Sequence, residues 1–365
     1  MATNKVTVED VPSQPSLAKH DSAVLDIAFA MDCTGSMSSY IETSRNNIRT
    51  IVEQIVSSEK SDIHLALVEY RDHPPQDCTF VTRAHDFVSS VSTMKSWLDN
   101  CSAQGGGDGP EAVADALHDM LKLSWRENAT KICVLISDAP PHGLSTYGDG
   151  FPDGCPAGLD PMGIVRQLAA KGITLYTVGC EPAINPYKEF FTAIAYLTGG
   201  QYIPLRGAKA LTQVIIGGAQ EEISLERWMA EVDEEIQREI AAGNQINDQE
   251  MTHRVQAKME SKGIRGKKLQ RNNFDLEAAS ASSIQLAQFT NMAEVRTNFK
   301  SPPAVDRPRM GGMLRASRGR SAAFHAPAEM APESSDSWNT VDSSISYGQA
   351  ARMVQKSKSR NNYMS

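Results

Sequence analysis

The chain has 365 residues and a formal net charge of -8, with 36 Lys and Arg against 44 Asp and Glu, and 41% of its residues are hydrophobic. This length accommodates one large domain or two, with ample material for a buried core. The acidic excess lies within residues 1–220, where no basic stripe is present. The composition therefore argues against nucleic acid as a partner, because binding to a phosphate backbone needs clustered Lys and Arg.

The sequence also argues against a membrane-bound or secreted protein. No segment approaches about 18 consecutive apolar residues, and residues 1–20 are polar and lack the apolar region of a signal peptide. We therefore expect a cytoplasmic protein that does not engage a membrane. Its six cysteines are spread singly, with no C-x-x-C pair, which indicates free thiols.

Short apolar strands alternate with amphipathic helices between residues 22 and 220, after a flexible N-terminus predicted at 1–21. The alternation is typical of a doubly wound α/β domain, in which a mostly parallel sheet is covered on both faces. Strands are predicted at 24–31, 63–70, 131–137, 173–179 and 200–205, with a weaker edge strand at 78–85.

A helical extension is predicted at 221–262. Its apolar stripe indicates docking on a partner or on the chain itself; the stripe comprises Leu225, Met229, Val232, Ile236 and Ile240. Apolar density then falls, so residues 263–299 are predicted to be a weakly helical linker. Residues 300–365 are rich in Pro, Ser, Gly and Arg, and we expect a disordered tail because such a segment buries too little apolar surface to offset its ordering entropy.

Three loops of the predicted domain carry carboxylates. Ligands of an open parallel sheet collect at the carboxyl ends of its strands, where these loops lie. In the first loop, oxygen-bearing side chains recur at every second position, so a tight turn can aim them at one point. Oxygen donors suit Mg²⁺ first, and Mn²⁺ or Ca²⁺ next. The candidate ligands are Asp32, Thr34 and Ser36 in the first loop, Asp108 and Glu111 in the second, and Asp138 in the third.

Electrostatics favours a cation at such a site. Two unit charges about 4 Å apart repel by about 4 kcal/mol at an effective dielectric near 20, so converging carboxylates either raise one another's pKa or bind a cation. Two simpler hypotheses remain. The first-loop residues could only cap the following helix, and Asp108 and Glu111 could only be first-turn acids favoured by the helix dipole.

The loop residues resemble the von Willebrand factor type A domain and its metal-ion-dependent adhesion site. The first loop, Asp-Cys-Thr-Gly-Ser-Met at 32–37, fits the family pattern Asp-x-Ser/Thr-x-Ser, and Asp138 matches the late Asp loop. The middle loop at 105–112 is instead similar to the Asp-x-Pro-Glu loop of integrin beta A-type domains. This resemblance implies Glu111 as a direct ligand, with Asp108 either an alternative ligand or part of a neighbouring cation site.

A closer resemblance lies in residues 148–161, 178–191, 197–205 and 218–226. These segments are similar to the A-type domain that precedes the kinase in some eukaryotic alpha-kinases and to that of their kinase-less relatives. The tail of this chain has neither the length nor the apolar content of a kinase domain. The resemblance therefore does not imply kinase activity here.

We expect a binding module and not an enzyme: a protein whose Mg²⁺ accepts an acidic side chain from a protein partner. The alternatives are a metal-dependent phosphohydrolase and a structural scaffold with a vestigial metal site. A dehalogenase-type phosphatase would need a second Asp where Thr34 stands. His142, which follows Asp138 closely, is expected to be a solvated or packing residue, and the Gly-rich loop at 144–160 is expected to form a rim that affects ligand choice.

Overall fold

The computed structural model of the protein describes residues 21–59, 62–145, 148–299 and 336–361. A central sheet contains six strands, which are β1 (Asp21–Asp32), β2 (Asp62–Tyr70), β3 (Thr82–Val88), β4 (Ala129–Ser137), β5 (Ile173–Glu181) and β6 (Tyr202–Arg206). Their spatial order is β3-β2-β1-β4-β5-β6, and all neighbours are parallel except β2 and β3. The predicted doubly wound α/β fold is confirmed, and the predicted edge strand is present as the antiparallel β3.

Helices cover both faces of this sheet. In β1, Leu25, Ile27 and Phe29 belong to one apolar core while Ala28 and Ala30 belong to the other, as the period of two in a strand requires. The covering helices are α1 (Ser38–Glu59), α2 (Val91–Asn100), α3 (Val113–Lys122), α4 (Pro161–Ala170), α5 (Lys188–Leu197) and α6 (Leu211–Glu226). The first core contains residues of α1, α2 and α6, and the second contains residues of α3, α4 and α5.

The carboxyl ends of β1 and β4 lie side by side at the centre of one sheet edge. β1 pairs with β2 on one side and with β4 on the other. After β1 the chain enters α1 on one face, whereas after β4 it leads to α4 on the opposite face. Open α/β sheets bind ligands at such a switch point. The fold therefore places the loops that begin at Asp32 and Asp138 where a ligand site is expected.

A third apolar cluster lies beyond α6. After α6 the described elements are, in chain order, α7 (Met229–Ala241), α8 (Asp248–Ser261), β7 (Arg265–Arg271), β8 (Phe274–Asp275), α9 (Ala281–Gln288), α10 (Met292–Asn298), β9 (Trp338–Ser344) and α11 (Tyr347–Arg360). Met229, Val232 and Ile236 of the predicted stripe are buried in this cluster with residues of α8 and α11. The stripe thus docks on its own chain, and only Ile240 is left 38% exposed.

The remaining C-terminal elements pack against the α/β domain. β7 lies between β8 and β9 in an antiparallel sheet, and both β7 and β9 contact α6. α9 contacts α5 on the opposite face. The predicted linker at 263–299 is therefore a set of packed strands and helices. Within the described ranges, no helix is both long and apolar enough to cross a membrane.

The prediction of a disordered tail is wrong for residues 336–361. These residues form β9 and α11, while 300–335, like residues 1–20 of the predicted flexible N-terminus, lie outside the described part of the chain. The prediction of disorder was based on low apolar density. That measure underestimates the stabilisation of this segment for two reasons. Ala350, Met353 and Val354 are buried in the third apolar cluster, and the intervening charged side chains have buried partners of opposite sign.

Those partners are glutamates of α6, which is buried along most of its length. Lys356 forms ion pairs with Glu222 and, at 2.6 Å, with Glu226. Glu222 is 1% exposed and also accepts a hydrogen bond from Tyr176 at 2.9 Å. Arg352 pairs with the same Glu222 at 3.2 Å. α11 is thus held by ion pairs that are shielded from water and so are screened much less by salt than surface pairs.

Candidate functional site

The loop after β1 is folded around the carboxylate of Asp32. Its Oδ1 accepts hydrogen bonds from the backbone N of Thr34 at 2.9 Å and from Thr34 Oγ1 at 2.6 Å. Thr34 Oγ1 also lies 3.3 Å from Ser36 Oγ. This local turn, which Asp forms readily with the backbone two residues on, brings the three oxygen-bearing side chains of the predicted motif together.

The glycine-rich loop at residues 105–107 brings Glu111 close to the loop that follows β1. Gly106 has a φ of +84°, and a Cβ there would lie 3.1 Å from Glu111 Oε1 and 3.4 Å from the Cβ of Thr34. The absence of a side chain therefore lets the loop pass between the first loop and Glu111. The backbone N of Glu111 donates to the carbonyl of Pro140 at 2.9 Å, which ties it to the loop after β4.

Replacing Gly106 by Ala is expected to lower the free energy of unfolding by about 1–3 kcal/mol, because a non-glycine residue is strained at this φ and its Cβ would press on Glu111. Urea denaturation measures the effect. Gly109→Ala in the same loop is the matched control, because among the described atoms none lies within 4 Å of its added Cβ. Equal losses in the two variants would contradict this account of the loop.

The carboxylates at the centre of the site are buried and lack enough donors. Among the described residues, no hydrogen-bond partner reaches Asp32 Oδ2 or Glu111 Oε2. Burial, followed by the negative charge of Asp138, raises the pKa of Asp32 to about 7. Burial, followed by the charge of Asp32, raises the pKa of Glu111 to about 10. Burial also raises the pKa of Asp138. These are the shifts that converging acids show without a compensating cation.

Asp108 belongs to a neighbouring group. Its Oδ2 accepts a hydrogen bond from the backbone N of Gly150 at 2.6 Å, and its carboxylate lies within 4.8 Å of ligand atoms of Asp72 and His142. The structure thus places Glu111 beside the first loop and Asp108 beside Asp72. Asp32, Glu111 and Asp138 do not form one of the three groups of ligand atoms that converge within 4.8 Å in the described ranges.

His142 is a buried part of that neighbouring group, so the expectation of a solvated side chain is wrong and that of a packing residue fits better. Its Nε2 lies 2.7 Å from Asp72 Oδ1 and its Nδ1 lies 2.9 Å from Asp149 Oδ1. Burial acts to lower the pKa of His142, but the hydrogen bonds with Asp149 and Asp72 outweigh it and raise the pKa to about 9. A positive His142 therefore balances two of the acids around Asp108.

The residues that follow β2 were not among those predicted from the sequence. Arg71, Asp72 and His73 are buried at the carboxyl end of that strand, next to β1 in the sheet. Ligands of open α/β sheets bind at the carboxyl ends of the strands, and β2 ends at the same edge as β1 and β4. The position of these residues directly after β2 could therefore have indicated them. Asp115 lies one helical turn after Glu111, and its Oδ2 is 2.9 Å from His73 Nε2. It was not predicted because its neighbours in α3 are mostly apolar and indicated a core helix.

The donor set fits a hard divalent cation. The first loop supplies a carboxylate and two hydroxyls, Glu111 and Asp138 supply further carboxylates, and buried oxygens of Asp32 and Glu111 need a positive partner. All of these donors are oxygens, which Mg²⁺ and Ca²⁺ prefer. The molecule thus belongs to the class of open-sheet α/β proteins. Its oxygen-donor site lies between the carboxyl ends of β1 and β4, where the helical connections change from one face of the sheet to the other.

Comparison with known families agrees with this description. Residues 26–200, just under half of the chain, match the von Willebrand factor type A domain. Such domains generally mediate protein interactions and commonly bind a divalent metal at the adhesion site.

Two curated relatives share part of the chain. The chain is 30% identical over 160 residues to the alpha-protein kinase vwkA of Dictyostelium discoideum. This alignment covers 42% of this chain and 25% of the kinase. The chain is 29% identical over 206 residues to the putative ariadne-like RING finger protein R811 of Acanthamoeba polyphaga mimivirus, covering 53% of this chain and 20% of the relative. The chain thus spans a quarter or less of each relative's length.

Among solved structures, similarity extends to the pilus adhesin SpaC of Lactobacillus rhamnosus GG. Two of its crystal structures align with TM-scores of 0.42 and 0.41 at 12% and 13% identity. Each alignment covers 57% of this chain and about a third of the adhesin.

Proposed function

We propose that the protein is a non-enzymatic, metal-dependent protein-binding module whose partner presents an acidic side chain. A Mg²⁺ ion, with Mn²⁺ or Ca²⁺ as the next choices, would be held directly or through water. The proposed ligands are Asp32, Thr34, Ser36, Glu111 and Asp138, with Asp108 in the adjoining acidic group.

One observation carries this proposal: Asp32 Oδ2 and Glu111 Oε2 are buried without a hydrogen-bond partner in the described part of the chain. Leaving such oxygens unpaired costs several kcal/mol if they are charged, and protonation removes their ability to bind a ligand. A divalent cation satisfies both and keeps them ionised. The raised pKa values of Asp32 and Glu111 are the electrostatic counterpart of the same need.

The exposed side of the site indicates the direction from which a partner would approach. Ser36 and Gly105 to Gly107 are exposed, whereas Asp32 and Glu111 are buried behind them. A ligand would therefore approach across the glycine loop and Ser36. A carboxylate suits the position that such a cation leaves open, because Mg²⁺ takes oxygen ligands and often keeps exchangeable waters.

Affinity capture of partners with the full chain tests the proposal. Capture is expected in Mg²⁺, to be lost in EDTA, and to weaken more than about tenfold, or about 1.4 kcal/mol, in Asp32→Ala. Asp99→Asn is the matched control, because Asp99 forms a surface ion pair with Arg45 at 3.6 Å, and such pairs contribute little to stability. Changing the partner's essential Glu or Asp to its amide should have the same effect as EDTA.

The alternatives give different results in the same preparation. A partner that is captured equally well in EDTA and by Asp32→Ala would favour a structural scaffold. Turnover of a phosphoester that requires metal, survives repurification and is lost in Asp32→Ala would favour a hydrolase. Either result would overturn the binding proposal.

A further inference from the structure

Three potential metal ligands converge outside the oxygen-donor site. His73 follows β2, Asp115 lies in the first turn of α3, and Cys155 lies in the loop between β4 and α4. One ligand atom from each lies within 4.8 Å of the other two. His73 is 7% exposed and Asp115 9% exposed. The cluster thus joins three separate segments of the domain, with His73 and Asp115 buried and Cys155 partly exposed.

The three distances are close to those around a tetrahedral ion. His73 Nε2 lies 2.9 Å from Asp115 Oδ2, Cys155 Sγ lies 3.2 Å from the same oxygen, and Sγ lies 3.7 Å from Nε2. Zinc bond lengths of about 2.0–2.3 Å at tetrahedral angles place such ligand atoms about 3.3–3.6 Å apart, the nitrogen and oxygen at the shorter distance. Movements of about half an ångström would complete the arrangement.

The same geometry argues against a nucleophilic triad. In a Cys-His-Asp triad the sulfur and the carboxylate contact opposite nitrogens of the imidazole ring. Here Cys155 Sγ and Asp115 Oδ2 both approach Nε2 of His73. Convergence of sulfur, oxygen and nitrogen on one point is the arrangement of a metal site.

A cavity of about 190 Å³ lies next to the cluster and is lined in part by Asp115, Cys155, His142 and Glu111. His142 is not available as a fourth ligand, because its two ring nitrogens are bound to Asp72 and Asp149. A fourth coordination position would therefore face the cavity. Three protein ligands with one open position is the pattern of zinc sites that hold a water or a ligand atom, whereas purely structural sites are closed by four.

We propose that His73, Asp115 and Cys155 bind a Zn²⁺ ion whose fourth position opens into this cavity. Thiolate and imidazole donors select zinc over magnesium, so this site and the oxygen-donor site would hold different metals. Bound zinc would fasten the loop that carries Cys155 to β2 and α3. It would also offer the cavity a position for water or for a small ligand with a nitrogen, oxygen or sulfur donor.

Metal content and Co²⁺ spectroscopy of the full chain test this proposal. After dialysis against chelator and reloading, about one tightly held Zn²⁺ per chain is expected in wild type and in Asp32→Ala, which removes a carboxylate of the other site. The same amount is expected in Cys78→Ser, the matched control, because Cys78 is an exposed thiol. Cys155→Ser and His73→Ala should lose this Zn²⁺.

Co²⁺ provides a readout in wild type that does not depend on a variant folding. Wild type loaded with Co²⁺ should show a near-ultraviolet sulfur-to-cobalt charge-transfer band, which Cys155→Ser lacks and Cys78→Ser retains. Absence of that band in wild type, or Zn²⁺ retention unchanged in Cys155→Ser, would overturn the proposal. The cluster would then be an ion pair between His73 and Asp115 with a hydrogen-bonded thiol.

Discussion

Replacing Glu222 by Gln is expected to lower the free energy of unfolding by about 3 kcal/mol. Removing one partner of a buried ion pair costs about 3–5 kcal/mol, because the remaining charge is left uncompensated. The lower end applies here, because Lys356 keeps its second partner, Glu226, and Arg352 also lies 3.2 Å from Glu221.

Urea unfolding with Glu277→Gln as the control isolates the effect of burial. Glu277 also pairs with a lysine, Lys188, but its side chain is 82% exposed, so its loss should cost less than about 1 kcal/mol. Combining Glu222→Gln with Lys356→Met should recover part of the loss, because both charges are then removed. Similar losses in Glu222→Gln and Glu277→Gln would show that the network contributes no more than a surface pair.

The pH dependence of that loss has a defined sign. Burial acts to raise the pKa of Glu222, but the positive charges of Lys356 and Arg352 outweigh it and lower the pKa. A carboxyl whose pKa is lower in the folded state stabilises the protein fully above its unfolded value of about 4.3 and loses that contribution as the pH falls through the folded pKa. The difference between wild type and Glu222→Gln should therefore persist at neutral pH and shrink below about pH 4.

The second large effect concerns divalent metal and pH. In EDTA, stability is expected to fall as the pH rises from about 4 to 7. The pKa of Asp32 is about 7 in the folded protein, against about 3.9 when unfolded. The folded state therefore binds more protons in this window, and the loss from Asp32 is at most about 4 kcal/mol. Mg²⁺ should restore stability increasingly with pH, by about 2.7 kcal/mol at 100 times its dissociation constant.

Chemical unfolding between pH 5 and 8, with Mg²⁺ and with EDTA, measures both parts of this prediction. Asp32→Asn should reduce the pH dependence in EDTA, with the remainder due to Glu111 and Asp138, whose pKa values are also raised. It should also abolish most of the Mg²⁺ effect, whereas Asp99→Asn should behave as wild type. If Asp32→Asn and wild type respond alike to pH and to Mg²⁺, Asp32 is neither protonated in the folded protein nor a metal ligand.

The sequence predicted the sheet well because its strands are buried on both faces and appear as continuous apolar runs, such as that of β1. It also predicted which loops meet, since the carboxyl ends of parallel strands share one edge. The placement of Asp108 could not be predicted. Asp108 and Glu111 are only three residues apart, and Asp108 accepts its hydrogen bond from Gly150, in a loop more than 40 residues further along the chain.

The C-terminal elements show a different limit of sequence analysis. Apolar density is a fair guide to order only when charged side chains are solvated. In α11 the charges of Arg352 and Lys356 are buried against glutamates more than a hundred positions earlier in the chain. No local pattern in residues 336–361 indicates this pairing, because the partners are acids of α6, far away along the chain.

The docking of α11 also sets an order of events during synthesis. Glu222 and Glu226 leave the ribosome long before Arg352, Lys356 and Arg360, which are 130 or more residues downstream. Until then, the acids of α6 have to stay hydrated, protonated or covered by something else. Residues 21–226 can form their sheet earlier, but this flank of the nascent domain closes only after translation reaches α11. A growing chain stalled before residue 352 should therefore expose an acidic helix that chaperones or proteases can recognise.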